Sequence, residues 1–165
     1  MLTDTGNFLY PNTTDEALEI ASEMLDYGAQ FPKIVSDTWR NKDFITMKIW
    51  GLALANLKIN PRYNFAVTIL PYQELQSIFK DLAMEDYHFE GDSLAGFLSN
   101  LSGVKGLLLL REESPGKLKG SLRSAQKNID VSKLARFLGG GGHAKSSGFT
   151  ITGNIQKNNN YYKII

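Results

Sequence analysis

The sequence predicts a mixed fold of helices and strands, α/β or α+β. Two observations carry this. Segments with apolar residues at helical spacing alternate with short runs rich in Val, Ile, Leu and Phe. A hairpin signal, Ser114-Pro115-Gly116-Lys117, sits between two such runs.

Leu2–Phe8 reads as a strand end running into a tight turn at Asp4-Thr5-Gly6, and Tyr10-Pro11-Asn12 as a second turn. Thr13-Thr14-Asp15-Glu16 matches a capping box, with a Thr hydroxyl on free amides and Glu16 reaching back. Ala17, Leu18, Ala21, Met24 and Leu25 then recur at helical spacing until Gly28. Phe31-Pro32 opens a short element. Asp43 to Leu57 reads as a helix with Phe44, Met47, Trp50, Leu54 and Leu57 toward a core, ended by Asn60-Pro61. Asn64–Leu70 is a predicted strand and Tyr72–Leu82 a helix after Pro71. Asp92–Leu101 is a further helix with an Asp or Ser cap. Val104–Arg111 and Leu118–Arg123 are the strands of the hairpin. Val131–Leu138 is a short helix capped by Asp130, and Phe149–Ile151 the last strand.

The 165 residues suit one ordinary domain, or a small one plus part of another. With no cysteine, disulfides and thiolate metal sites are excluded. The longest apolar run, around Leu107–Leu110, is far short of the roughly 20 residues a spanning helix needs. The first residues lack the basic start and apolar stretch of a signal peptide, so a cytoplasmic protein is expected. The net charge of +1 hides an asymmetry. There are 7 Lys+Arg against 14 Asp+Glu up to Val104, and 11 against 3 from Lys105 onward. A basic C-terminal third suits an anionic ligand or a solvated basic surface.

Four consecutive glycines, Gly139, Gly140, Gly141 and Gly142, follow the helix ending at Leu138. One would terminate it. Each costs roughly 0.5–1 kcal/mol relative to Ala in an ordered element. Three surplus glycines therefore suggest a backbone that a ligand approaches closely, with successive N–H groups forming an anion cradle. His143-Ala144-Lys145-Ser146-Ser147 could open a helix whose N-terminus adds to that attraction. The alternative is a flexible surface loop. No Gly-Lys-Ser/Thr follows and the spacing is not that of a dinucleotide fingerprint. In Gly120-Ser121-Leu122-Arg123-Ser124, alternation puts Ser121 and Arg123 on one strand face, a hydroxyl and a guanidinium suited to a phosphate oxygen. Asp4 could ligate a hard metal or close an Asx turn. His88 reads as a packed or surface histidine.

The stretch Gly120–Ser124, then Asn128-Ile129-Asp130-Val131, Leu134-Ala135 and Gly139–Phe149, resembles the C-terminal substrate-binding domain of the DHH-family phosphoesterases in order and spacing. Ser146-Ser147 stand where that family often has Ala-Ala. Leu2–Phe8, Tyr10 and Asn12-Thr13-Thr14 are similar to its last metal-binding motif and the helix beyond. The nearest branch is that of the oligoribonucleases (nanoRNases) and 3′-phosphoadenosine-5′-phosphate phosphatases, with cyclic-dinucleotide phosphodiesterases as near relatives. The resemblance implies a C-terminal remnant of the DHH catalytic domain with connecting helices over residues 1–50. A small mixed-sheet α/β DHH-associated domain would follow over 51–165.

It further implies a nucleotide phosphate held by Arg123, with Ser121 assisting, Gly139–Gly142 admitting the ligand to the backbone, and His143 bonding a phosphate oxygen near the metals. Family members hold two metal ions, typically Mn²⁺. Of their ligands only Asp4 can be carried over, since no Asp-His-His is present and His88 and His143 are the only histidines. The expected reading is a fragment or half of a split gene, with Met1 an internal methionine. Such a chain binds short RNA or a nucleotide, is inactive alone, and either pairs with a missing N-terminal half or self-associates. A non-catalytic nucleotide- or nucleic-acid-binding module is the alternative.

Overall fold

The computed structural model describes every residue except 3, 11–12, 82–88, 90 and 159–160, and only the backbone of 39, 81 and 161. The Pro11-Asn12 turn, the end of the predicted helix at Leu82, and His88 therefore lie outside the described residues. The chain divides into two compact units, Met1–Phe44 and Ile45–Ile165.

In the first unit the described residues of Leu2–Phe8, foreseen as a strand end, lie in turns. Thr5 organises them. Its hydroxyl donates to the Met1 carbonyl at 3.0 Å and accepts from the Phe8 amide at 3.2 Å. Gly6, Asn7 and Phe8 all have positive φ, which an extended strand does not allow. Helix α1 (Asp15–Asp26) is capped by Thr14, whose hydroxyl accepts from the Ala17 amide at 3.2 Å. With that cap the third helical residue is Ala17, so Glu16 falls one place short of the reciprocal half of the box. Gly28, at φ +91°, ends the helix in a Schellman motif, with Gly28 N–H on Leu25 O at 2.9 Å and Ala29 N–H on Met24 O at 2.8 Å. α1 buries none of its residues. A short helix α2 (Phe31–Val35) runs into a π turn over Ser36–Arg40.

The second unit is built on a six-stranded mixed sheet, in the order β1-β2-β3-β4-β6-β5. The strands are β1 (Lys58–Asn60), β2 (Phe65–Leu70), β3 (Gly106–Ser114), β4 (Lys117–Arg123), β5 (Gly141–His143) and β6 (Ser146–Thr152). Only the β2–β3 pair is parallel, and its crossover carries helices α4 (Tyr72–Asp81) and α5 (Gly91–Leu98). α3 (Phe44–Ala55), α4 and α5 contribute Ile45, Ile49, Ala53, Leu75, Leu94 and Leu98 to a core with Ala66, Leu70, Leu107 and Leu109 of the sheet. α6 (Val131–Phe137) packs Val131 and Ala135 into a second core with Leu110, Leu118, Leu122 and Phe149. The two cores draw on alternate residues of β3, which explains its nearly unbroken apolar run.

Several expectations are corrected here. α3 ends at Ala55, before Asn60-Pro61, and β1 follows it. Its buried residues are Ile45, Ile49 and Ala53, whereas Phe44, Met47 and Leu54 are exposed. The segment Phe44–Ala55 is apolar on nearly every face, so spacing could not choose between them. Asp92 lies inside the first turn of α5, which begins at Gly91. His143 opens no helix, because β5 turns at Ala144-Lys145 into β6. Phe149–Ile151 is part of a longer strand and not the last, since β7 (Ile155–Asn158) and β8 (Tyr161–Ile164) form a separate ribbon.

The hairpin turn stands as foreseen. Ser114 pairs with Lys117, leaving Pro115 and Gly116 as a two-residue loop with Gly116 at φ +81°. Asp130 caps α6, accepting from the Ser132 amide at 3.0 Å. The Ser132 hydroxyl bonds the same carboxylate at 2.6 Å, and this bond leads the causes that hold Asp130 below the usual aspartate range.

Candidate functional site

Sheet register brings most of the predicted residues onto one face. In an antiparallel ladder, residues directly opposite share a face. Arg123 of β4 pairs with Ser146 of β6, and Ser146 with His143 of β5. Those three side chains form a row across three strands, roughly 10 Å from first to last at ~4.8 Å per strand. The next row on that face is Ser121, Gly148 and Gly141. Two of its three members have no side chain. The result is a shelf of bare backbone bounded by Ser121, Arg123, Ser146 and His143.

The glycines divide by what the fold itself demands. Gly139, at φ +78°, ends α6 in another Schellman motif, with Gly139 N–H on Arg136 O at 3.0 Å and Gly140 N–H on Ala135 O at 2.8 Å. A Cβ on Gly140 would lie 2.1 Å from the Gly148 carbonyl oxygen. Gly142 has φ +130°, and a Cβ there would lie 2.7 Å from Ser146 O. Three of the four are thus fixed by the fold, which corrects the inference that three are surplus. Gly139 and Gly141 both have open space where a Cβ would stand, but Gly139 is held at positive φ by the helix end. Gly141 is the position in the run with neither a positive φ nor a neighbour within 4 Å.

Arg123 is largely buried along its side chain. Its Nη2 donates to Asp92 Oδ1 at 2.9 Å and its Nη1 to Leu122 O at 3.1 Å. Asp92 is exposed. Ser121 is buried and lines a cavity of about 200 Å³ with Phe89, Gly91, Asp92, Leu109, Arg111 and Lys119. His143 is exposed, and its backbone carbonyl accepts from the Ser147 hydroxyl at 2.6 Å. Lys145 is committed elsewhere, its ammonium donating to the carbonyls of Gln126, Lys127 and Ile129. It therefore pins the 126–129 loop to the β5–β6 turn.

Behind the cavity stands a charged cluster the sequence reading passed over. Glu113 receives Arg111 Nη2 at 2.6 Å, Lys117 Nζ at 3.0 Å and, more loosely, Lys119 Nζ at 3.9 Å. Burial alone would push the Glu113 carboxyl up. The hydrogen bonds from Lys117 and Arg111, with their charges, outweigh it and leave Glu113 below the usual glutamate range. Arg111 also donates to the Phe89 carbonyl and lies 5.6 Å from that ring's centre. The signal was available: Lys119 shares its face with Ser121 and Arg123 at period two.

Asp4 lies in the first unit, on an exposed turn, its Oδ2 3.2 Å from the N-terminal ammonium. Two-metal chemistry needs several convergent carboxylates or imidazoles. Among the described residues no three His, Asp or Glu side chains gather at one point, and Asp4 alone does not fit a pair of metal ions.

A family model described as the DHHA1 domain matches residues 90–163. The chain is 29% identical to the bifunctional oligoribonuclease and PAP phosphatase NrnA of Thermus thermophilus, over 93% of this chain and 43% of that protein. It is 29% identical to the protein of the same name in Bacillus subtilis, over 90% and 44% respectively. With a probable member of that group in Streptococcus mutans the identity is 31%, over 90% of this chain and 44% of that protein. Among solved structures, an exopolyphosphatase-related protein from Bacteroides fragilis superposes with a TM-score of 0.74 at 29% identity, covering 90% of this chain and 42% of that one. The chain spans less than half the length of the curated relatives it matches.

Proposed function

The chain belongs to the DHH family through its DHHA1 domain, and from that premise we propose that its shelf grips the phosphate of a short oligoribonucleotide or of phosphoadenosine phosphate. The observation that carries this reading is the register row Arg123–Ser146–His143 beside the side-chain-free row Gly148–Gly141. Arg123 supplies a guanidinium that its strand and Asp92 hold in place, suited to bidentate contact with phosphate oxygens. His143 supplies an exposed imidazole at the far end of the row, and Ser121 a hydroxyl beside Arg123. Gly141 lets the ligand rest on backbone at a sheet edge, where strands present N–H groups outward.

The proposed reaction in which this grip serves is phosphoester hydrolysis, for which two metal ions, typically Mn²⁺, would supply an activated water. Of the family's metal ligands only Asp4 can be carried over to this chain, and the described residues do not by themselves hold a pair of ions. The part played by these residues is binding and orientation, and the isolated chain is proposed to bind without cleaving. Support comes from the first unit and from α3. α1 exposes Leu18, Met24 and Leu25, and α3 exposes Met47 and Leu54. Asn7 Oδ1 and Thr13 Oγ1 are buried without a hydrogen-bond partner among the described residues. Such surfaces suit a chain that works assembled with a metal-carrying portion or with a second copy.

Titration calorimetry with a 5′-phosphorylated di- or triribonucleotide tests the binding claim. Arg123→Ala and His143→Ala each weaken binding, the former by about tenfold or more, the scale of one charge-assisted contact. Affinity unchanged in both variants would remove the assignment.

A further inference from the structure

Arg123 already has an anionic partner within its own chain. Its Nη2 donates to Asp92 Oδ1 at 2.9 Å and its Nη1 to the Leu122 carbonyl at 3.1 Å. A guanidinium meets an oxyanion with two parallel N–H groups along either of two edges, Nε with Nη2 or Nη1 with Nη2. Nη2 belongs to both edges. A carboxylate on Nη2 therefore stands where a phosphate oxygen would bind, and two anions on that one nitrogen repel each other. The phosphate grip and the Asp92 ion pair are alternatives.

The two partners are unequally fixed. The Arg123 side chain is 14% exposed and that of Asp92 75%. Asp92 stands in the first turn of α5, and that helix has no room to shift. Leu94, Ala95 and Leu98 fill the core, and a Cβ on Gly91 would already lie 3.3 Å from Leu109 Cδ2. Separation of the pair is therefore a rotation of the Asp92 side chain into solvent. Its cost is small, because a carboxylate in the first turn keeps the attraction of the helix start wherever it points. An ion pair with one partner in solvent changes an equilibrium by at most about fivefold. We propose that Asp92 is an internal competitor for the Arg123 grip. Its carboxylate occupies the place of a phosphate oxygen, holds the guanidinium oriented, and is displaced when phosphate binds. Asp92 thereby sets the affinity of the shelf. An anion that makes a single contact to Arg123 gains nothing over the carboxylate it removes, whereas one that makes two gains the second.

The competitor rests on the phosphate grip proposed for Arg123, and a double-mutant cycle separates the two. A 5′-phosphorylated diribonucleotide is titrated by calorimetry, at fixed salt, into the full chain, into Asp92→Asn, into Arg123→Ala and into the double variant. Asp92→Asn keeps a side-chain oxygen for Nη2 and removes the charge, and it binds about three- to fivefold more tightly than the unaltered chain. Arg123→Ala weakens binding, and adding Asp92→Asn to it restores less than about twofold, even where that leaves binding below detection. A gain of equal size with and without Arg123 is a through-space effect of the lost charge and overturns the competitor. Unchanged or weaker binding in Asp92→Asn overturns it too, and in each of these cases the grip stands so long as Arg123→Ala weakens binding. Affinity untouched by Arg123→Ala overturns the grip and the competitor together, as does failure of both the unaltered chain and Asp92→Asn to bind.

Discussion

Gly140 and Gly141 are adjacent, chemically identical and opposite in what they tolerate. A methyl on Gly140 is driven into the Gly148 carbonyl at 2.1 Å, backbone against backbone, where nothing flexible can move aside. A methyl on Gly141 meets nothing within 4 Å. Gly140→Ala therefore destabilises the second unit by about 1–3 kcal/mol or more, the range for overpacking. Gly141→Ala stays within about 0.5 kcal/mol of the unaltered chain, as surface substitutions do. Denaturant unfolding checks both. Binding reverses the ranking, because the Gly141 methyl stands on the shelf: Gly141→Ala folds normally and binds a phosphorylated dinucleotide more weakly. That the run of glycines ends a helix was legible, but the division of labour within it was not. That division depends on which strand lies against each Cα, and β6 approaches Gly140 and Gly142 from residues later in the chain.

Two elements support the shelf, and each has its own test. The β3–β4 hairpin is tied across its turn by Glu113 to Lys117, and Arg111 of β3 bonds the same carboxylate. Its carboxyl is depressed in the folded state, so this contribution is fully present above the ordinary glutamate value of about 4.3 and lost as pH falls through the lower folded value. Glu113→Gln should remove that acid-side loss, so that the difference in melting temperature between the unaltered chain and the variant narrows as pH falls below the ordinary glutamate value of about 4.3. A difference that stays constant through acid titration would contradict it. The β5–β6 turn is pinned by Lys145, whose ammonium meets three carbonyls of the 126–129 loop. Lys145→Met strips a charged donor from them and costs about 1.5–3 kcal/mol by thermal unfolding. The hairpin turn, the α6 cap and the strand face of Ser121 and Arg123 could all be read from local spacing. The turn after His143 could not. Ala144-Lys145-Ser146 gives no local turn signal, and the hairpin is held by long-range bonds such as Val131 N–H on Ala144 O at 2.9 Å.

At the scale of the whole chain, the two units carry unequal shares of chemistry. The second holds the two cores, the shelf and the cavity. The first holds Asp4 and a helix with no buried residue. With one candidate metal ligand, the isolated chain is expected to show no Mn²⁺-dependent cleavage of a short oligoribonucleotide. Turnover that disappears in Asp4→Ala would contradict this. The basic C-terminal third left an anionic ligand and a solvated basic surface both open. It could not say that Lys145 is spent on carbonyls, or that Lys117 and Arg111 are spent on Glu113, because those partners are set by strand register.

The central claim is that phosphate rests on the shelf formed by β4, β6 and β5. Backbone amide NMR during titration with a 5′-phosphorylated diribonucleotide tests it most directly. The account predicts that the largest shift changes fall on Gly141, Ser146, Gly148 and Arg123, and that they vanish in Arg123→Ala. Saturable changes elsewhere, with those four amides unmoved, would contradict it.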